Sequence, residues 1–305
     1  MRQVGPGWGR VAALAVTATV LSVVPATLLV FLPMALMMVA LPPRRPAAIV
    51  GGVAGLVALL VTGPADPIAN FTRGWALVAG AWFVIAAVIL ERPGFVARGL
   101  IAVGGAAATS GALLAFRPGS FAGLDGLVRD RTEVADSAAR ALGDRFGIGS
   151  EVAEALRQRT EVTTLLQPAL LVLATLAALA VGWWVYRRLS ARDASPLADL
   201  AQFRFPDALV WVLIGGIVLR LVPAGELAAR AGSNLVALMA MLYALRGAAV
   251  LVFLHGMPGV VGWLILGVLG LLLLPLVLVP ALIVGLSDTW LDIRSRRHAE
   301  EDAGP

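Results

Sequence analysis

The sequence predicts an all-α fold: a polytopic transmembrane helical bundle of about eight apolar spans with one polar helical insert. Three observations predict it. The 305 residues are 59% hydrophobic and only 14% charged, with a mean hydropathy of +0.89. Apolar runs long enough to cross about 30 Å of hydrocarbon recur along most of the chain. The short alternating strands of a transmembrane barrel do not appear.

The first apolar run covers about 11–41. Arg2 and Arg10 precede it, as in a signal peptide. Hydrophobicity continues to Ala40 without a small-residue cleavage site, so the run reads as an uncleaved helix. It contains Pro25 and Pro33. Each proline removes a backbone donor and clashes with the preceding turn, so the run is either one kinked span or two half-spans. Runs at about 46–63, 74–90 and 97–116 follow. Small residues at four-residue spacing mark two of them: Gly51 and Gly55, then Gly104 with Ala108 and Ala107 with Gly111. Such spacing lets helix backbones approach closely.

A polar insert interrupts the pattern. Between Arg117 and Glu161, seven arginines nearly cancel eight acids. Leu124, Val128, Val134, Ala138 and Leu142 recur near helical spacing, which predicts an amphipathic stretch. Ser150 can cap a second helix with Glu151 in its first turn. The insert reads as a solvated helical hairpin on the membrane surface; a lid or docking element is the sharper alternative. Further runs lie at about 164–186, 206–222, 232–254 and 259–287. The last repeats the ambiguity of the first, with Pro275 and Pro280. The chain thus divides into N-terminal membrane helices over 1–116, an insert over 117–163 expected outside the cytoplasm, C-terminal membrane helices over 164–293, and a charged cytoplasmic tail over 294–305.

Loop arginines orient the bundle. Arg44, Arg45, Arg92, Arg98, Arg187, Arg188 and Arg192 are expected on one face, while the short opposite loops hold little. The arginine-rich face is expected to be cytoplasmic. Arg2, Arg10, Arg294, Arg296 and Arg297 join that face only if both long runs are broken into paired segments, which is the preferred topology.

Absent residues exclude chemistries. All 24 basic residues are arginine, so a Walker A lysine and a Schiff-base lysine cannot exist. With no cysteine, thiolate nucleophiles, disulfides and cysteine metal sites are excluded. His255 and His298 are the only histidines. The net charge of +5 is spread over short loops, which argues for membrane topology and against nucleic acid. No cofactor, no metal and no enzymatic activity are expected.

Arg246 is the most informative residue. It falls near the middle of "NLVALMAMLYALRGAAVLVF". A buried guanidinium needs a partner, either an anionic ligand or a structural acid or carbonyl. Asn234 lies about three turns earlier on the same helix and is the second candidate for a ligand-binding or buried polar role. Asp207 and Arg220 bracket the 206–222 run, where they suit opposite ends of a helix dipole. Asp207 is also a candidate partner for a basic group at the cytoplasmic mouth. "ATSG" at Ala108–Gly111 resembles a serine-protease motif but reads better as a packing face. His255, ahead of Gly256 and Pro258, reads as a turn residue, and "NFT" at Asn70 is a weak sequon.

In "GLSDTWLDIRSRR" (Gly285–Arg297), Ser287 or Asp288 can cap a terminal turn, and Asp292 and Arg296 form an i,i+4 pair. Trp290 suits the headgroup level. Asp288 and Asp292 share a helix face, so a metal or acid–base pair is conceivable, but no third ligand is at suitable spacing.

Three stretches together resemble the YybS-like family of uncharacterised bacterial membrane proteins: "FRFPDALVWVL" (Phe203–Leu213), "NLVALMAMLYALRGAAVLVFL" (Asn234–Leu254) and "GLSDTWLDIRSRR". That family is similar, distantly, to the substrate-binding S components of energy-coupling-factor transporters and to the cell-shape protein MreD. The resemblance implies a membrane protein without ATPase machinery of its own. It assigns no ligand residues.

The leading expectation is a non-enzymatic, transporter-like component that binds a small molecule between helices, with Arg246 as the inner contact. Membrane lipids and a coupling or envelope membrane protein are the expected partners. The alternative is a non-catalytic scaffold for envelope, cell-shape or division proteins. A binder should have a polar cavity near Arg246 with the insert over one mouth; a scaffold should have a dry core.

Overall fold

A computed structural model describes residues 26–42, 46–61, 67–90, 94–116, 161–191, 203–223, 225–255 and 274–294, with isolated positions between 123 and 158 and at 259 and 262. No strand occurs among them. Each of the eight apolar runs contains a described helix. These are α1 (Ala26–Ala40), α2 (Pro46–Val61), α3 (Pro67–Ile89), α4 (Phe95–Ala115), α5 (Gln167–Tyr186), α6 (Val210–Leu221), α7 (Glu226–His255) and α8 (Leu274–Leu291). Four segments are long and apolar enough to cross a membrane: Ala69–Ile89, Phe95–Leu113, Gln167–Leu189 and Glu226–His255. The apolar helices at Leu28–Ala40, Pro46–Ala58 and Leu278–Leu291 are shorter. Eight full spans therefore reduce, among the described residues, to four with shorter apolar helices beside them.

Pro33 and Pro280 lie inside α1 and α8, so neither ends its helix. Residues before 26 and most of 256–273 lie outside the described residues, as does most of the insert. The described insert positions, including Arg129, Asp130, Glu133, Val134, Ser137 and Arg140, are helical and exposed.

The chain forms two compact units, Val23–Arg192 and Asp193–Pro305 with Met1–Ser22. The sequence reading grouped the 164–186 run with the C-terminal helices. Instead α5 packs on α1, α3 and α4.

In the N-terminal unit, neutral side chains set the register. Trp75 of α3 donates its indole N–H to Thr175 Oγ1 of α5 at 2.8 Å, and Thr175 passes its own proton to Leu171 O at 2.7 Å. Phe83 packs on Trp183, ring centroids 5.6 Å apart, so α3 and α5 run in the same direction. Gly182 lies against Val30 O, where a Cβ would sit at 3.3 Å, and Tyr186 O–H donates to Pro42 O at 2.7 Å. α1 therefore runs parallel to α5. Short connections fold α2 and α4 back antiparallel. The C-termini of α1, α3 and α5 and the N-termini of α2 and α4 share one end. All seven arginines of the expected cytoplasmic face lie in or beside those termini in the sequence.

Close approach is real, but one residue away from the predicted glycines. A Cβ added at Gly51, Gly104 or Gly111 would meet nothing of another helix within 4 Å, and one at Gly55 would meet only Ala35 Cβ at 3.9 Å. Gly52 abuts Ala35 O, where a Cβ would sit at 2.9 Å, and Gly105 lies under the Trp82 ring. In an Ala- and Gly-rich helix, four-residue spacing recurs in several registers, and the neighbour chooses which one faces it. Thr109 of "ATSG" serves the same contact: it accepts from Trp82 Nε1 at 3.0 Å and donates to Gly105 O at 2.8 Å.

In the C-terminal unit, a 3-10 turn at Asp207–Leu209 leads into α6, and α7 packs between α6 and α8. Both contacts are glycine on glycine. Gly216 O faces Gly232, where a Cβ would sit at 2.7 Å. Gly285 lies on the Tyr243 carbonyl and Gly247 on that of Ala281, leaving no room for a methyl at either. The order of these contacts makes α7 antiparallel to both neighbours. The N-terminal end of α6 and the C-terminal end of α8 therefore meet α7 at the same level, near residues 243–246.

A buried arginine–aspartate chain at the junction of three helices

Arg246 and Asp288 are both fully buried. Arg246 Nε donates to Asp288 Oδ2 at 2.9 Å, its Nη2 to Asp288 O at 3.3 Å, and its Nη1 to Asp207 Oδ1 at 2.7 Å. Arg294 Nη2 donates to the same Asp288 Oδ2 at 2.9 Å, and its Nη1 to Phe203 O at 3.0 Å. Arg204 lies 3.6 Å from Asp207 Oδ2 and 3.1 Å from Asp292 Oδ1. The six side chains alternate in sign: Asp292, Arg204, Asp207, Arg246, Asp288, Arg294. Three arginines balance three aspartates.

Burial grades along the chain. The Arg246 and Asp288 side chains are 0% exposed, Arg294 10%, and Arg204, Asp207 and Asp292 42–45%. One end is dry and the other is wet. Aromatic rings wall the dry end. The Arg246 guanidinium lies 5.4 Å from the Phe205 centroid, and Phe205 packs edge-on against Tyr243 at 5.1 Å. The guanidinium thus gains a π face as well as its acids.

Proximity to a single α7 level explains the assembly. Asp207 is placed by the turn that opens α6, Asp288 by the last turn of α8, and Arg294 by the chain that leaves α8. Asp292 adopts a left-handed conformation, φ 42°, one residue after α8 ends. Aspartate tolerates it better than most residues. The turn sends Asp292 toward Arg204 and returns Arg294 to Asp288.

Several sequence expectations change here. Ser287 and Asp288 lie inside α8, and the carboxylate of Asp288 serves two arginines. Asp207 lies in the first turn, as the dipole reading expects, and its carboxylate also reaches Arg246 and Arg204. α8 ends before Asp292 and breaks the predicted i,i+4 register with Arg296, which lies outside the described residues. Asn234 does not join Arg246; its amide donates to Arg230 O of its own helix at 2.9 Å. Arg220 lies exposed in the last turn of α6, the dipole position expected of it, and apart from the charge chain. Among the described residues no group of three metal-binding side chains forms around Asp288 and Asp292. His255 ends α7, with Nδ1 3.2 Å from Leu251 O. Asn70 is helical and accepts from Arg73 at 2.6 Å. Arg73 is buried within α3.

Sequence reasoning missed Arg204, Tyr243, Thr289 and the inward role of Arg294. A signal existed for two of them: Arg204 precedes Asp207 by three residues, and Tyr243 precedes Arg246 by three, one turn of α7. Tyr243 and Thr289 bring two hydroxyls toward each other, but the geometry completes no hydrogen bond at either. Asp288 Oδ1, also buried, has no partner either. Asp288 Oδ1 is therefore unsatisfied, and the two facing hydroxyls have no partner but each other.

The chain belongs to the family described as a predicted membrane protein (DUF2232), whose model matches residues 11–289. That match takes in the α6, α7 and α8 contributions to the charge chain as far as Asp288. No curated protein and no solved structure matches the chain.

Proposed function

We propose that this multi-pass protein is a non-enzymatic, transporter-like component of the bacterial inner membrane that binds a small polar solute in its C-terminal unit. The observation that carries the proposal is Asp288 Oδ1, buried and without a hydrogen-bond partner, together with the buried Tyr243 and Thr289 hydroxyls, which face each other and have no other partner. Each such group costs about 1–3 kcal/mol. A solute that completes all three would recover that cost on binding. Charge balance narrows its class. An anion or a metal ion would have to break an arginine–aspartate pair, whereas a neutral or zwitterionic solute would not. It would offer a donor to Asp288 Oδ1 and engage the two hydroxyls. Arg246 then acts by fixing Asp288 rather than by touching the ligand as an anion receptor. The half-exposed end of the chain at Asp207 supports an approach from the aqueous side.

The competing reading is a scaffold in which the charge chain only clamps three helices. The paired state of Arg246 favours it. The double variant Tyr243→Phe/Thr289→Val separates the two, because it removes both hydroxyls and leaves every ion pair in place. Mass spectrometry of small molecules released from mildly solubilised protein should find a polar solute with the wild type and none with the variant. The variant should fold at least as stably as the wild type, since it no longer buries unmatched hydroxyls. Release of lipid alone from both proteins would sink the binding reading and leave the scaffold.

A further inference from the structure

A second cluster of cations lies in the N-terminal unit, at the end where α1, α3 and α5 finish. The sequence there holds Arg44, Arg45, Arg92, Arg98, Arg187, Arg188 and Arg192 against Glu91 and Asp193. Trp183 of α5 is approached by two guanidiniums, Arg98 of α4 at 5.7 Å and Arg187 at 6.0 Å from the ring centroid. Arg188 lies 5.0 Å from the centroid of the neighbouring Trp184. Cations gathered at adjacent rings repel one another, and a bound anion relieves that repulsion.

Two further observations point to a ligand. Arg98 donates one bond through Nη2 to Leu90 O at 3.3 Å, but its Nε is buried without a partner. Beyond Tyr186 the helix widens into a π turn over Arg187–Ala191, which carries both arginines. Such turns are frequent at functional sites. Paired tryptophans at helix ends suit the headgroup level of a bilayer. Val88, Ile89 and Leu189 are exposed in the same end region and offer an apolar rim.

We propose that Arg98, Arg187 and Arg188, arranged around Trp183 and Trp184, bind the phosphate of an anionic phospholipid headgroup in the cytoplasmic leaflet, with its acyl chains against the apolar rim. The guanidinium fork matches phosphate oxygens. The inner surface of the membrane is where anionic lipid meets an arginine-rich end. This site belongs to the N-terminal unit and does not depend on the solute reading above.

Full-length protein in mild detergent, incubated with equal phosphatidylglycerol and phosphatidylcholine, tests it by native mass spectrometry of retained lipid. The wild type should keep phosphatidylglycerol in preference. Arg98→Gln/Arg188→Gln should bind it roughly thirtyfold more weakly, about fivefold per guanidinium. Equal retention of the two lipids by the wild type overturns the site, even if the variant fails to fold. Undiminished phosphatidylglycerol on a folded variant overturns it too. Displacement of the lipid by millimolar inorganic phosphate would show a phosphate site in place of a lipid one.

Discussion

The two units solve the same packing problem with different chemistry. In the N-terminal unit, helices are registered by neutral bonds: an indole to a threonine at Trp75–Thr175, another at Trp82–Thr109, and a phenol to a carbonyl at Tyr186–Pro42. Its rim arginines stack on tryptophan rings. In the C-terminal unit, helices touch backbone to backbone at glycines, and a balanced chain of charges ties their ends. These bonds tolerate a dry interior because they desolvate no ion themselves; the buried arginine of this unit, Arg73, donates to Asn70 of its own helix. Charges there are stable only when every partner is present, since the attraction must offset a desolvation cost of several kcal/mol per ion. The C-terminal unit should therefore be the more sensitive to single substitutions and the more tolerant of paired ones.

The largest expected effect is at Asp288. Replacing it with Ala leaves Arg246 without its Nε acceptor and Arg294 without its Nη2 acceptor, in a region that is almost fully buried. Loss of one partner from a buried pair costs about 3–5 kcal/mol. Thermal unfolding of solubilised protein should show it. The paired change Arg246→Met/Asp288→Leu should lose less than Asp288→Ala alone, because it removes the buried guanidinium with its counter-ion. An equal or larger loss in the double variant would show that the chain is more than a sum of compensated charges.

A smaller effect is expected at Thr175. Thr175→Val keeps volume and shape but leaves the Trp75 N–H without its acceptor, a cost of about 1–3 kcal/mol. Trp75 is 6% exposed, so water has little access to replace the bond. If Thr175→Val destabilises as much as Asp288→Ala, the contrast between the two units fails.

The fold class and the parts of the C-terminal site were legible to different degrees. Apolar runs located α1 to α8, because burial away from water demands continuous apolar surface whether or not a helix reaches spanning length. Arg246 announced itself as needing a partner, and Asp207 as having one to offer. What could not be read was the partnership with Asp288, 42 residues away. It depends on how far α8 slides along α7, and the glycines that set this slide, Gly247 and Gly285, carry no side-chain pattern. The i,i+4 reading of Asp292 and Arg296 assumed that the helix continued. A single left-handed residue ended it and redirected Arg294 inward. Glycine spacing misled for a related reason: it says that close approach is available, not which register a neighbour will take.

Arg204 provides the smallest effect and the sharpest use of the contrast. It bridges Asp207 and Asp292 at the wet end of the chain, with all three side chains 42–45% exposed. Exposed pairs contribute about 0–1 kcal/mol, and salt screens them within about 10 Å at 0.1 M. Arg204→Gln should therefore lower the unfolding temperature only slightly, and the difference from wild type should shrink as sodium chloride rises from 0.05 to about 0.5 M. Asp288→Ala, at the dry end of the same chain, should keep its full penalty across that range, because buried charges are screened little. Matching salt dependence in the two variants would mean that the Arg246–Asp288 pair is hydrated, and the graded chain would have to be redrawn as one solvated surface network.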